Sequence, residues 1–120
     1  MKIVVPVEAN KTDVCPNFGR APYFLVVDQG AGTSDLHENA AAMAEGGAGT
    51  KAAQIVVDFG TEVVIAPRIG ENAVTVLKAA GIELYQSEGN SPEANLKAFA
   101  AGTLGKLEKI HSGFHGKLWN

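Results

Sequence analysis

The chain has 120 residues, 46% of them hydrophobic and 19% charged, with a formal net charge of −3 and a pI near 5.5. That length and composition support one hydrophobic core of an ordinary globular domain, and the acidic balance excludes a broad nucleic-acid interface, which needs a basic face. A lone cysteine, Cys15, rules out an internal disulfide framework and fits a reducing compartment, while the opening apolar run is too short for a signal peptide or a membrane span, so a cytoplasmic location is expected.

In chain order, Lys2–Val7 is a short β-branched run, the pattern of a strand buried on both faces. Residues 8–20 lose periodicity and collect Asn10, Asp13, Pro16, Asn17 and Gly19, which marks a long loop of the kind that carries function. Tyr23–Asp28 is a second strand. Gly30-Ala31-Gly32 turns the chain, and Thr33–Glu38 returns as a third strand. Its one large apolar residue, Leu36, stands among Asp35, His37 and Glu38 and assigns it to a sheet edge. Residues 39–47, rich in alanine and glycine, read as a flexible loop.

From Ala48 the period becomes helical, with Ala48, Ala52, Ile55, Val56 and Phe59 on one face and Gly60 as the stop. Glu62–Ala66 is a buried strand. Glu71–Ala80 is a helix with Ala73, Val74, Leu77 and Ala80 inward, and Ile82–Tyr85 is the last strand. Ser91-Pro92-Glu93 opens a final helix, with a capping serine, proline at the first helical position and an acid in the first turn. Gly102 closes it. The expectation is one α/β domain over residues 1–102 and a flexible tail, 103–120, that carries Phe114, Leu118 and Trp119.

Short turns make hairpins of the first three strands, and helical crossovers are right-handed. The sheet is therefore five-stranded and mixed, of order 3-2-1-4-5, with strand 2 antiparallel and helices on both faces. Connections leave strands one and four in opposite directions, which opens a crevice at their carboxyl ends. Several segments converge there: the loop after strand one, Arg20 before the backward second strand, the helix start Gly46-Gly47-Ala48-Gly49-Thr50, and the helix start Arg68-Ile69-Gly70. The first turn of a helix presents free N–H donors and the positive end of the macrodipole, so two such ends form an anion cradle. Thr50 adds a hydroxyl, and arginine suits a delocalised anion because its planar fork donates several hydrogen bonds together.

Bland readings compete with each of these features. The glycine run lacks the lysine and the spacing of a P-loop, and alone it reads equally well as a flexible helix entry. Cys15 is an inert thiol or, in the crevice loop, a ligand for a soft metal such as copper(I). His111 and His115 have i, i+4 spacing, but Gly113 lies between them, and a solvated tail is the better reading. His37, on the edge strand, carries no partner signal. Asp28, Asp35, Asp58 and Glu62 sit at element ends. The first strand offers no acid for a nuclease of ribonuclease-H type, and no order of serine, histidine and acid suggests a triad. The residues describe a binder of a small anion and not an enzyme.

Four stretches together resemble the dinitrogenase iron–molybdenum cofactor-binding family: residues 1–7, Asn17-Phe18-Gly19-Arg20-Ala21-Pro22-Tyr23-Phe24, Gly46-Gly47-Ala48-Gly49-Thr50-Lys51-Ala52-Ala53-Gln54, and Asn72-Ala73 with residues 76–82. The resemblance implies a three-layer ribonuclease-H-like fold. It further implies binding of a molybdenum-containing sulfide cluster, of molybdenum–copper or iron–molybdenum–sulfur type, in a short stand-alone member. The family often has histidine directly before Phe-Gly-Arg, where this chain has Asn17, an amide that hydrogen-bonds sulfide but ligates metal poorly. Cys15 is then the metal-ligand candidate, and Cys15, Asn17, Arg20, Gly47, Gly49, Thr50, Arg68, Gly70 and Asn72 form the expected binding site. The expectation is a monomeric, non-enzymatic carrier with a protein partner for cluster delivery and no nucleic-acid or membrane partner. The alternative is a nucleotide- or partner-binding regulatory module that uses the same crevice, and a vestigial nuclease is the weakest reading.

Overall fold

Alternation along a strand sends successive side chains to opposite faces, so a β-branched run with apolar residues throughout needs cover on both sides. A computed structural model describes residues 1–107 and the backbone of residues 110–111 and shows that arrangement. Strands β1 (Lys2–Val7), β2 (Tyr23–Asp28) and β3 (Thr33–Glu38) precede helix α1 (Ala48–Asp58) and β4 (Val63–Ala66). A two-residue β5 (Ile69–Gly70), helix α2 (Glu71–Ala79), β6 (Glu83–Gln86), helix α3 (Pro92–Ala100) and β7 (Ile110–His111) follow. The main sheet has the order β3-β2-β1-β4-β6. Its β2 is antiparallel to both neighbours, whereas β1, β4 and β6 run parallel. This is the expected 3-2-1-4-5 order, with the last strand counted sixth because β5 intervenes.

On one face Val4, Phe24 and Val64 pack with Ala52, Ala53 and Val56 of α1 and Ala73, Val74 and Leu77 of α2. On the other, Ile3, Val5, Val63 and Ile65 pack with Leu96 and Phe99 of α3. The polar strand β3 is exposed along its whole length, as an edge should be. Because β2 runs backward, Tyr23 pairs with Val7. The start of β2, the ends of β1, β3, β4 and β6, and the starts of α1 and α2 therefore share one edge of the sheet.

Two segments differ from the expected pattern. Residues 40–43 are not a loose loop but a short 3-10 helix, Ala40–Met43, whose first turn is capped by the Asn39 side chain. The chain past Gly102 also stays attached. Leu104 is buried in the α3-side cluster, the Gln86 N–H donates to the Gly105 carbonyl at 2.8 Å, and the Leu107 N–H donates to the Leu84 carbonyl at 3.0 Å. Residues 105–107 thus extend the β6 edge, with the Lys106 ammonium 4.6 Å from the centre of the Tyr85 ring. Further on, β7 pairs in parallel with β5, which sets the backbone of His111 beside Gly70. Phe114, His115, Leu118 and Trp119 lie outside the described residues. Among those described, no helix is long and apolar enough to cross a membrane.

Candidate functional site at the carboxyl edge of the sheet

Gly47 takes a left-handed conformation, φ 69°, that lets the chain turn abruptly into α1. No side chain caps that helix and its first turn holds no acid, so its leading amides keep their donors for a ligand. Gly19 lies directly against this helix start. A methyl group built on Gly19 would stand 2.9 Å from both the Cα and the N of Gly49 and 3.3 Å from the carbonyl carbon of Ala48. One built on Gly49 would meet the Ala73 methyl at 3.7 Å. The start of α1 is therefore pressed against the Asn17–Arg20 loop on one side and lies beside the first turn of α2 on the other. The α2 terminus is less receptive to an anion. Gly70 caps it without a side chain, and Glu71 places a carboxylate in the first turn.

Asn39, which sequence reasoning passed over, organises this corner. It is 4% exposed. Its Nδ2 donates to the carbonyls of Gly19 (3.1 Å) and Ala21 (2.9 Å), and its Oδ1 accepts from the Ala41 N–H at 3.0 Å. One amide thus ties the crevice loop to the 3-10 helix. Arg20 adds a second tie, since its Nη1 donates to the carbonyls of Ala42 (3.0 Å) and Ala44 (2.9 Å). Arg20 is exposed, and its Nε and Nη2 make no hydrogen bond among the described residues. Asn17 is a turn builder, with its Oδ1 accepting the Arg20 N–H at 3.1 Å. Thr50 and Asn72 are exposed at the first turns of α1 and α2.

Cys15 faces inward. It is 5% exposed, belongs to the α1/α2-side core, and donates its thiol to the Asn17 carbonyl at 3.5 Å. Burial raises the thiol above its usual range and the nearby Glu8 pushes the same way, against the Asn17 hydrogen bond, which lowers it. The sign of the linkage follows. Above the unfolded value of about 8.5 the denatured chain has lost a proton that the native chain keeps, so stability declines as pH rises from there toward the folded value. The expected result is slow alkylation of native protein by iodoacetamide at pH 8 and rapid alkylation after denaturation. Prompt stoichiometric labelling of the native fold would contradict this burial. Among the described residues, no three of His, Cys, Asp and Glu gather as a metal site.

Arg68 opens elsewhere on the same edge. It is exposed and lines a cavity of about 360 Å³ with Val14, Pro16, Pro67, Ser87 and Asn90. The Val14 N–H donates to the Asn90 carbonyl at 2.8 Å and joins the first crevice loop to the loop after β6. Asn95, 1% exposed on α3, shapes that second loop: its amide donates to the carbonyls of Glu88 and Ser91, each at 2.9 Å, and accepts the Glu88 N–H at 2.7 Å. The expected site contains none of Ser87, Asn90 or Asn95. A signal did exist, because residues 87–91 follow the last parallel strand, and such loops line the ligand crevice of open α/β sheets.

Fold and edge together define a small three-layer α/β protein with two helix starts and two arginines on one rim. The dinitrogenase iron-molybdenum cofactor family model matches residues 1–102, and the chain belongs to that family. The apo form of the orange protein from Desulfovibrio gigas is similar in structure, with a TM-score of 0.81 and 32% identity over 90% of this chain and 93% of that one. A putative NifB protein from Thermotoga gives a TM-score of 0.79 and 33% identity over 94% and 98% of the two chains. An uncharacterized protein of Methanocaldococcus jannaschii is 32% identical over 111 residues, 90% of this chain and 92% of its own length.

Proposed function

We propose that this protein is a non-enzymatic carrier of an anionic molybdenum-containing sulfide cluster. The observation that carries the reading is the close approach of Gly19 to Gly49, which sets the uncapped start of α1 against the crevice loop and beside Ala73 in the first turn of α2. Membership of a family described by iron–molybdenum cofactor supports the same class of cargo. A sulfide cluster spreads its charge over many soft atoms, so hydrogen bonds from amides and guanidinium groups hold it without a covalent bond. In this reading the amides of Gly49 and Thr50, the Thr50 hydroxyl, the free edge of Arg20, Arg68, the Gly70 corner and Asn72 face the cargo, while Gly47 shapes the helix start. Asn17 holds the turn. Cys15 ligates a metal only if the metal displaces its proton and the loop opens.

The test is reconstitution of the apo-protein with tetrathiomolybdate and copper(I), followed by gel filtration. A charge-transfer spectrum that elutes with the protein is expected, and colour found wholly in the small-molecule fractions would defeat the reading. The double variant Arg20→Ala/Arg68→Ala is expected to weaken retention by roughly tenfold per arginine, the value of one charge-assisted hydrogen bond. Undiminished retention would move the cluster off this edge. The same helix start holds phosphate equally well, so a thermal shift with nucleotides and none with thiomolybdate would favour a regulatory module instead.

A further inference from the structure

The cavity at Arg68 differs in kind from the open cradle at α1. Ser87 is 9% exposed and lines it, and among the described residues its hydroxyl has no hydrogen-bond partner, although its backbone N–H is satisfied by the Ala66 carbonyl. The hydroxyl is not sealed in the core, where Thr61 Oγ1 is the unpaired side-chain atom among the described residues; it opens to the cavity and has a donor to offer a ligand there. Arg68 adds a guanidinium with no ion pair among the described residues, and Asn90 borders the same space. None of the lining residues is an acid, so a cation would find no charged ligand here. Val14, Pro16 and Pro67 form apolar walls that strengthen hydrogen bonds inside. Gln86 donates its amide to the Pro67 carbonyl and steadies the turn that presents Arg68. The volume of about 360 Å³ lies at the low end of small-ligand sites.

We infer that this cavity is a second anion site that takes one mononuclear tetrahedral oxyanion, held by the Arg68 guanidinium, the Ser87 hydroxyl and the Asn90 amide. One cation with neutral donors matches a compact oxyanion, whose oxygens accept from several directions. The inference shares Arg68 with the cluster reading, but Ser87 and Asn90 belong to this cavity alone, and Ser87→Ala separates the two.

Equilibrium dialysis of apo-protein against molybdate, sulfate and phosphate at physiological ionic strength tests it. Saturable binding of one equivalent is expected. Ser87→Ala should weaken it about tenfold, by loss of one hydrogen bond to a charged ligand, and Arg68→Gln by more. The charge-matched control Lys78→Gln should change nothing, and thermal melts establish that each variant is folded. A preference for molybdate links the cavity to the proposed cargo, and equal affinities define a general oxyanion site. Both outcomes uphold the inference. Absence of saturable binding, or binding indifferent to Ser87→Ala and Arg68→Gln, overturns it. Retention of the coloured cluster in that same sample would leave the carrier reading standing, so the two ideas fail separately.

Discussion

Gly19→Val is expected to destabilise the protein by about 3 kcal/mol, the upper range for forcing atoms into a packed site. The reason is local and geometric. The first carbon of any side chain would stand 2.9 Å from two backbone atoms of Gly49, and those atoms belong to a helix whose far face is buried, so they cannot retreat. The loop must lift from α1 and take Phe18, 2% exposed in the core, with it. For a domain of this size the melting temperature should fall by roughly 10–20 °C. Gly46→Ala is the matched control. Its added methyl meets no atom within 4 Å, and its effect should stay within about 0.5 kcal/mol. If thermal denaturation followed by circular dichroism gave the two variants equal melting points, the close approach of loop and helix would be wrong. Cluster retention should fall with Gly19→Val even below the melting transition, because the crevice loop no longer rests on the helix start.

Asn39→Ala is expected to cost the fold about 2–4 kcal/mol. Three partners lose their bond at once: the carbonyls of Gly19 and Ala21 and the N–H of Ala41. A buried polar group left unpaired costs on the order of 1–3 kcal/mol, and water entering beside the exposed Arg20 recovers part of the total. Chemical denaturation should show a lower midpoint. Amide exchange in the native state should quicken at Ala41 and Ala42 well before the sheet is affected, since those N–H groups are the ones the asparagine holds in place or whose helical turn it caps. Unchanged exchange at Ala41 would show that the asparagine bond is not what orders the turn.

Much of the architecture was legible in the residues because it rests on periodicity. The β-branched runs at residues 2–7 and 63–66, the i, i+4 apolar faces of α1 and α2, and the capping serine before Pro92 are local signals read without knowledge of the rest of the chain. Hairpin turns and right-handed crossovers then leave few strand orders to consider. The placement of the glycine corners on a common edge follows from that order, and the structure adds that Gly19 of the crevice loop lies directly against Gly49. Residues 39–43 depart from the expected loop because their order comes from partners about 20 residues away, at Gly19 and Ala21, while 44–47 remain irregular. Composition alone made that stretch look loose. The packing beyond Gly102 escaped for the same reason, as Leu104 and residues 105–107 gain their structure by joining β6 and not from any period of their own. The loop that carries Cys15 is legible as the crevice loop, yet the inward turn of that one side chain into the core carries no sequence signal.

What the order of amino acids settles by itself is the set of elements, their succession and the presence of helix starts free of capping side chains, because these depend on neighbours within a few positions. What only the tertiary structure decides is which polar groups remain available at the edge. Arg20 divides its guanidinium between backbone carbonyls and solvent, Asn39 and Asn95 are consumed in ordering loops, and Ser87 keeps an unpaired hydroxyl beside Arg68. Hydrogen bonding saturates, so a donor's availability depends on which acceptors the fold brings within about 3 Å, and that is a property of distant segments brought together.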